Sequence, residues 1–278
     1  MSAPPSLSDR AIMIAAVRDA ARAEIMPRFR TLAAGDVRSK GDPSDLVTVA
    51  DIAAEARIAH DIGAALPGLL VVGEEAVAAD PALRPSLASA ARVVIVDPVD
   101  GTWNFAKGLA VFGVILAVAE GGQPQFGMLY DPVMDDWVEA GPGATWFVTA
   151  DGSRVPLTTS AETLPERMTG YVPTGLFNAD HRMALATALA DVRRVHSLRC
   201  SCHEYRMLAQ GHAEFCLSGP TPHPWDHAAG VLAVQGAGGV ARFLDGAPYD
   251  TARETGILLS ASSETVWREI AQRLDFLA

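Results

Sequence analysis

Apolar positions along the chain switch between helical and strand spacing, and the switches mark out its elements. Over residues 8–29, Ile12, Ala16, Ala20, Ala23 and Met26 recur on one helical face. Ser8 is the expected N-cap and Pro27 the expected bend or stop. A polar loop over 35–45 holds Lys40, Gly41 and Pro43 and leads through Asp45-Leu-Val-Thr48 into a second helix. Its expected apolar face is Ile52, Ala56, Ala59 and Ile62, closing at Pro67-Gly68; Thr48 with Asp51 resembles a capping box. A short strand over 69–72 stops at Gly73-Glu74-Glu75, and a linker with Pro81 and Pro85 follows. Then come four β-branched residues, Val93-Val94-Ile95-Val96, which read as a buried strand. Antiparallel strands are expected over 112–119, 125–130, 136–140 and 144–148, with Gly- and Pro-bearing turns between them. This half reads as α+β, two helices on a mostly antiparallel sheet.

The second half alternates strand with helix. Strands are expected at 168–172, 192–197, 213–217, 240–243 and 256–260, and helices at 179–190, 202–210, 225–235 and 264–276. That alternation predicts an α/β layer with helices on both faces. Gly, Ser, Thr and Pro collect over 151–163, so the expected division is 1–150 and 151–278.

Composition narrows the function. With 278 residues, 49% hydrophobic and 20% charged, the chain can bury a large core. Its net charge of −11 argues against direct nucleic-acid binding, which needs clustered Lys and Arg. A small anionic substrate stays compatible, because bound cations reverse the local field. Cys200, Cys202 and Cys216 are too few for a disulfide framework, and no second ligand pair follows at zinc spacing. Charges at Asp9, Arg10, Arg18 and Asp19 break any secretory apolar region, and no uncharged run reaches membrane length. The expected setting is the cytoplasm, with no membrane partner.

Five acids fall at the ends of elements: Asp51, Glu74, Asp97, Asp100 and Asp226. Three have plain structural readings: Asp51 as a helix cap, Glu74 with Glu75 as turn residues, and Asp226 as a first-turn charge favoured by the dipole. The stretch Asp97-Pro-Val-Asp-Gly-Thr102 resists such a reading. Two carboxylates at the end of a buried strand repel unless a cation lies between them. Gly101-Thr102 then offers backbone N–H groups to an anion. Metal-holding acids beside an anion turn are the parts of a metal-assisted phosphate ester hydrolase. Phosphatases with an Asp-x-Asp-Gly-Thr nucleophile motif are excluded by spacing, since Pro98 stands two before Asp100.

Taken together, the motifs resemble the inositol monophosphatase-like, magnesium-dependent, lithium-sensitive phosphatases. The resemblance rests on Asp45-Leu-Val-Thr-Val-Ala-Asp51, Gly73-Glu74-Glu75, Asp97-Pro-Val-Asp-Gly-Thr-Trp-Asn-Phe105 and Trp225-Asp226-His-Ala-Ala-Gly230. It implies a layered αβαβα sandwich, usually a homodimer, and two or three magnesium ions per site. Glu74, Asp97 and the Val99 carbonyl would bind the first ion, Asp97, Asp100 and Asp226 the second, and Glu74 a third through water. Asp51 and Thr102 would orient or deprotonate the attacking water, Gly101 and Thr102 would hold the phosphate, and Lys40 and Glu75 would support the site.

Departures fall on the substrate side. Arg199-Cys200-Ser201 stands where inositol-cleaving relatives carry a Gly-Ser-Ala-type segment, and Gly219 stands where they carry an acid for the inositol hydroxyls. Arg199 could meet a second substrate anion or pair with Glu204; His223 could line the pocket or shape its proline-rich turn. Inositol monophosphate leads the candidate substrates, with histidinol phosphate and fructose 1,6-bisphosphate as alternatives on the same scaffold. A regulatory adaptor binding the transcription machinery is the alternative of another class. The retained acids argue against it.

Overall fold

The computed structural model describes residues 4–278 apart from Asp42 and Ser44, which belong to the expected polar loop. Helix α1 (Leu7–Ala20) starts from Ser6, not Ser8. Ser6 has the extended backbone a cap needs, and it exchanges hydrogen bonds with Asp9, whereas Ser8 already lies inside the first turn. The helix widens into a π turn over Ala21–Ile25 and tightens over Met26–Arg28 at Pro27. Strands β1 (Val37–Ser39) and β2 (Leu46–Thr48) form a small antiparallel ribbon before α2 (Val49–Ala65).

Helix α2 buries Ala50, Asp51, Ala54, Glu55, Ile58 and Ile62, so its inward face is rotated from the expected one, and Ile52 is half exposed. Asp51 and Glu55 point inward because each has hydrogen-bond partners there, and a count of apolar residues scores acids as outward. The chain continues through β3 (Leu70–Gly73), α3 (Glu74–Ala79), α4 (Ser86–Ser89), β4 (Val93–Asp100) and α5 (Thr102–Ala106). Strands β5 (Gly113–Glu120), β6 (Gln123–Asp131), β7 (Asp136–Gly141), β8 (Ala144–Val148) and β9 (Arg154–Pro156) complete a seven-stranded sheet. Its order is β3-β4-β5-β6-β7-β8-β9, parallel only between β3 and β4. All eight residues of β4 are buried, which explains its unbroken apolar run.

After β9 come β10 (Thr169–Tyr171), α6 (Ala179–Ala188), β11 (Arg194–His196), α7 (Ser201–Ala209), β12 (Phe215–Leu217) and α8 (Pro224–Gly236). Strands β13 (Val240–Phe243) and β14 (Leu258–Ala261) precede α9 (Glu264–Arg273). The five-stranded sheet runs β11-β10-β12-β14-β13. It is mixed: β10 is parallel to β11 and β12, but β13 and β14 follow one another without a helix and pair antiparallel.

Three apolar clusters fix the layers. Met13, Val17, Ile58 and Ile62 of α1 and α2 meet Val94, Val96, Leu116 and Met128 on one face of the large sheet. Ile95, Ile115 and Leu129 on its other face meet Leu208 of α7 and Ala228 and Val231 of α8, which also reach Phe243 and Leu258 of the small sheet. Leu185 of α6 and Ile270 of α9 pack on Phe215, Leu217 and Leu259 beyond it. The result is the αβαβα sandwich. Within the central layer, a Cβ at Gly230 would lie 2.2 Å from the Tyr205 ring, so only glycine lets α7 and α8 close this far. Among the described residues no helix is long and apolar enough to cross a membrane.

Candidate active site

The site begins with an irregularity in β4. Asp97 pairs with Ile115 and Asp100 with Gly113, three steps on one strand against two on the other. In a regular strand residues three apart face opposite sides. The extra residue is a β-bulge, and it turns both acids to the same side. Asp226, in the first turn of α8 behind Pro224, completes the group: carboxylate oxygens of Asp97, Asp100 and Asp226 lie within 4.8 Å of one another.

Burial pushes the Asp97 carboxyl well above its ordinary value, and the charges of Glu74, Asp100 and Asp226 add to it. Asp226 is raised by burial and then by Glu74 and Asp100. Asp100 is also raised by burial, although the Cys202 N–H and the Cys200 thiol, 3.1 Å from its Oδ2, oppose this. Converging oxygen donors that raise one another in this way fit a hard divalent cation such as magnesium. Among the described residues no other group of His, Cys, Asp and Glu converges in this way, the Cys200–Cys202–His203 run included.

Beside the acids, Gly101 has φ +85°, and a Cβ there would lie 2.9 Å from the Val111 carbonyl. The turn therefore requires glycine. The Thr102 hydroxyl lies 2.9 Å from the Val99 carbonyl and 3.1 Å from Asp51 Oδ1, and its one proton serves either. Asp51 Oδ2 accepts from the Thr48 N–H (2.8 Å) and hydroxyl (2.5 Å), so the expected capping box and the contact with Thr102 both exist. Burial pushes Asp51 up to about 6 against the opposing Thr48 bonds.

Glu74 opens α3 and stands outside the tight triad, held by Lys40 Nζ at 2.7 Å. The same ammonium reaches Glu75 at 2.6 Å. Burial lowers the Lys40 pKa, but the two carboxylates outweigh it and hold the group above its ordinary value. Burial likewise pushes Glu74 up to about 7, against the pull of Lys40.

A cleft of about 640 Å³ is lined by Glu74, Asp100, Thr102 and Asp226, and Arg199, Gly219 and His223 line it too. The Arg199 guanidinium lies 4.1 Å from the centroid of the Trp103 ring. Glu204, its alternative partner, receives the Ser197 hydroxyl at 2.9 Å and the Leu198 N–H at 2.7 Å. The His223 ring stacks on Trp225 at 4.8 Å, and burial lowers its pKa to about 4, so the imidazole is neutral near pH 7. Gly219 leaves its place to Leu176, whose Cδ1 lies 2.7 Å from where a Cβ would stand.

Residues 8–275 match the model of the inositol monophosphatase family. The chain belongs to that family. It is 31% identical to the histidinol-phosphatase of Mycobacterium tuberculosis, covering 81% of this chain and 84% of that one. It is 29% identical to the fructose-1,6-bisphosphatase/inositol-1-monophosphatase of Thermotoga maritima, covering 76% of each. Among solved structures, an inositol monophosphatase of Thermotoga maritima superposes with a TM-score of 0.80 at 21% identity, over 98% of this chain and 100% of that one. As a member of the inositol monophosphatase family the protein is a phosphatase, in a family that generally uses divalent metal ions.

Several residues around the converging acids have roles that the sequence reading did not assign. Glu55 accepts from the N–H groups of Glu75 and Ala76, both at 2.8 Å, and so seats the first turn of α3 that carries Glu74. Asn104 Nδ2 donates to the Val111 and Leu198 carbonyls, both at 2.8 Å, tying α5 to the segment before α7. Cys200 and Cys202 prove to be the cradle of Asp100, one through its thiol and the other through its N–H, while the Cys216 thiol faces Glu204. Two of these left a signal: Glu55 lies one helical turn after Asp51, on the same face, and Asn104 falls inside the Asp97–Phe105 motif.

Proposed function

We propose that the protein is a magnesium-dependent phosphomonoesterase acting on a small phosphorylated polyol or alcohol, with inositol monophosphate the leading candidate. Three carboxylates converging within 4.8 Å beside the Gly101–Thr102 turn carry this reading. In it, Glu74, Asp97 and the Val99 carbonyl hold one magnesium, Asp97, Asp100 and Asp226 a second, and Glu74 serves a third through water. Magnesium there supplies positive charge for the phosphoryl and leaving oxygens and makes water a better nucleophile near neutral pH.

The chain's own groups do the rest. The Gly101 and Thr102 N–H groups hold the phosphate. Thr102 Oγ orients the attacking water, and Asp51 Oδ1 receives its proton through that hydroxyl, a role suited to a carboxyl pushed up to about 6. Lys40, which reaches Glu74 at 2.7 Å and Glu75 at 2.6 Å, and Glu75 act as supporting groups. Arg199, Gly219 and His223 face the leaving group. The protein is a cytoplasmic homodimer in this reading, which a sizing column tests.

A panel of inositol monophosphates, histidinol phosphate, fructose 1,6-bisphosphate and 3′-phosphoadenosine 5′-phosphate tests the activity. Purified protein with magnesium is expected to release phosphate from at least one of them. Asp97→Ala and Asp226→Ala each lower that rate by orders of magnitude with an unchanged circular dichroism spectrum. Full activity in Asp97→Ala rejects the reading. Histidinol phosphate is the second candidate, favoured by the 31% identity to a histidinol-phosphatase.

A further inference from the structure

Arg84 lies in the proline-bearing linker between α3 and α4, yet its side chain reaches residues of the cleft wall. Its guanidinium carbon lies 5.7 Å from the centroid of the Trp225 ring, and Nε meets Glu254 Oε1 at 3.1 Å. Nη1 makes a long hydrogen bond, 3.5 Å, to Nδ1 of His223. The linker is anchored where it carries Arg84. The Arg84 carbonyl accepts from the Leu87 N–H at 3.1 Å, and the Leu87 carbonyl accepts from the Thr251 hydroxyl at 3.0 Å. The Gly256 N–H donates to the Pro220 carbonyl at 3.1 Å, which ties the segment carrying Glu254 to the turn carrying His223. Three stretches far apart in the chain thus meet at one imidazole.

The chemistry of the pair fixes a proton. A guanidinium has donors and no acceptor, and it keeps its charge in proteins. Nδ1 is therefore the acceptor, and the single ring hydrogen of His223 sits on Nε2. An Nδ1–H, in the other tautomer or in an imidazolium, would face Arg84 donor to donor. The stack on Trp225, 4.8 Å between centroids and 6° between planes, holds the plane of the ring. The His223 carbonyl accepts the Asp226 N–H at 3.2 Å, so the main chain behind the ring is tied to the start of α8. Nε2 has no hydrogen-bond partner among the described residues and is not sealed in the interior, and the residue lines the cleft. What His223 offers there is a neutral N–H donor.

We propose that Arg84 is a positioning residue: it holds His223 as the Nε2–H tautomer, and that N–H donates to an oxygen of the leaving alcohol. The part in substrate binding rests on the phosphomonoesterase reading, whereas the tautomer does not. A neutral donor suits the place, because it binds an uncharged oxygen without competing with magnesium for the phosphate.

Long-range proton–nitrogen correlation NMR of the protein with magnesium, near pH 7, tells the two tautomers and the imidazolium apart. The His223 signals are those lost in His223→Gln. Wild type is expected to show Nε2–H, and Arg84→Met a mixture of tautomers. A wild-type Nδ1–H or imidazolium, or an unchanged spectrum in Arg84→Met, overturns the proposal. Kinetics use inositol 1-phosphate, or whichever member of the substrate panel is hydrolysed fastest. Arg84→Met is expected to lower kcat/KM about tenfold, mostly through KM. The amide of His223→Gln puts an N–H donor near the place of Nε2 with no tautomer to fix. Adding Arg84→Met to that variant is expected to cost about twofold at most. A merely structural Arg84 would cost the same in both backgrounds, a result that also overturns the proposal. Release from no member of the panel rejects the phosphomonoesterase reading, whereas the spectra, recorded without substrate, still decide the tautomer.

Discussion

The Thr102 hydroxyl lies 3.1 Å from Asp51 Oδ1, and the two residues are 51 positions apart in the chain. The same carboxylate closes the capping box of α2, so its two oxygens have separate tasks. Oδ2 is committed to Thr48, and Oδ1 faces the site. Asp51→Asn keeps the shape and an acceptor but removes the base. The expected result is a fall in kcat of about 10²–10⁴, with a helix-cap cost of about 1 kcal/mol. Phosphate release, beside magnesium titration by calorimetry, checks this: lost metal binding would show a different role.

Repulsion within the acid triad has a consequence for stability that is opposite in sign with and without metal. In metal-free protein, Asp226→Asn removes one of the charges that raise Asp97, so its melting temperature is expected to rise. Saturating magnesium should then stabilise wild type by a few kcal/mol and the variant far less. Thermal melts with and without magnesium decide it. Equal metal-induced shifts in both proteins would contradict the assignment of Asp226 as a ligand.

Glu204, a neighbour of Asp100 outside the acid triad, gives a pH test. Burial raises this carboxyl from its ordinary 4.5 to about 7, despite the bonds from Leu198 and Ser197. The folded state therefore binds its proton more tightly than the unfolded chain does. That stability is present in full below pH 4.5 and is lost as pH rises through about 7, by roughly 3 kcal/mol at most. Glu204→Gln keeps an acceptor for Ser197 and Leu198 without the charge. Its urea midpoint should gain on wild type between pH 5 and pH 8. Parallel curves would show that Glu204 does not titrate in this range.

Gly101→Ala is expected to lose activity and about 1–3 kcal/mol of stability. The new Cβ meets the Val111 carbonyl and the φ of +85° remains. Denaturant unfolding measures the second effect. A variant as stable as wild type would mean that the turn relaxes without cost.

Much of this site was legible in the sequence, because β4 is buried over its full length and its acids break an apolar run at a fixed place. The layered fold was legible through the motifs and less through the periodicity. Helix α2 shows why: two of its inward residues, Asp51 and Glu55, are acids, so its apolar stripe was read off by a fraction of a turn. Ser6 in place of Ser8 is the same kind of error, a choice between neighbouring caps that only backbone geometry settles. The cradle of Asp100 was hidden because its donors, the Cys202 N–H and the Cys200 thiol, carry no compositional mark.

The bulge in β4 leaves Val99 out of register with β5, within a strand that is wholly buried. A buried backbone group needs a partner, and both of Val99's partners come from side chains. Its N–H donates to Asp97 Oδ1 at 3.1 Å, and its carbonyl accepts from Thr102 at 2.9 Å. The residues assigned to chemistry are thus also the ones that seal the break in the sheet. Apolar replacement of either orphans a main-chain group in the interior, whereas Asp97→Asn and Thr102→Ser leave the seam closed.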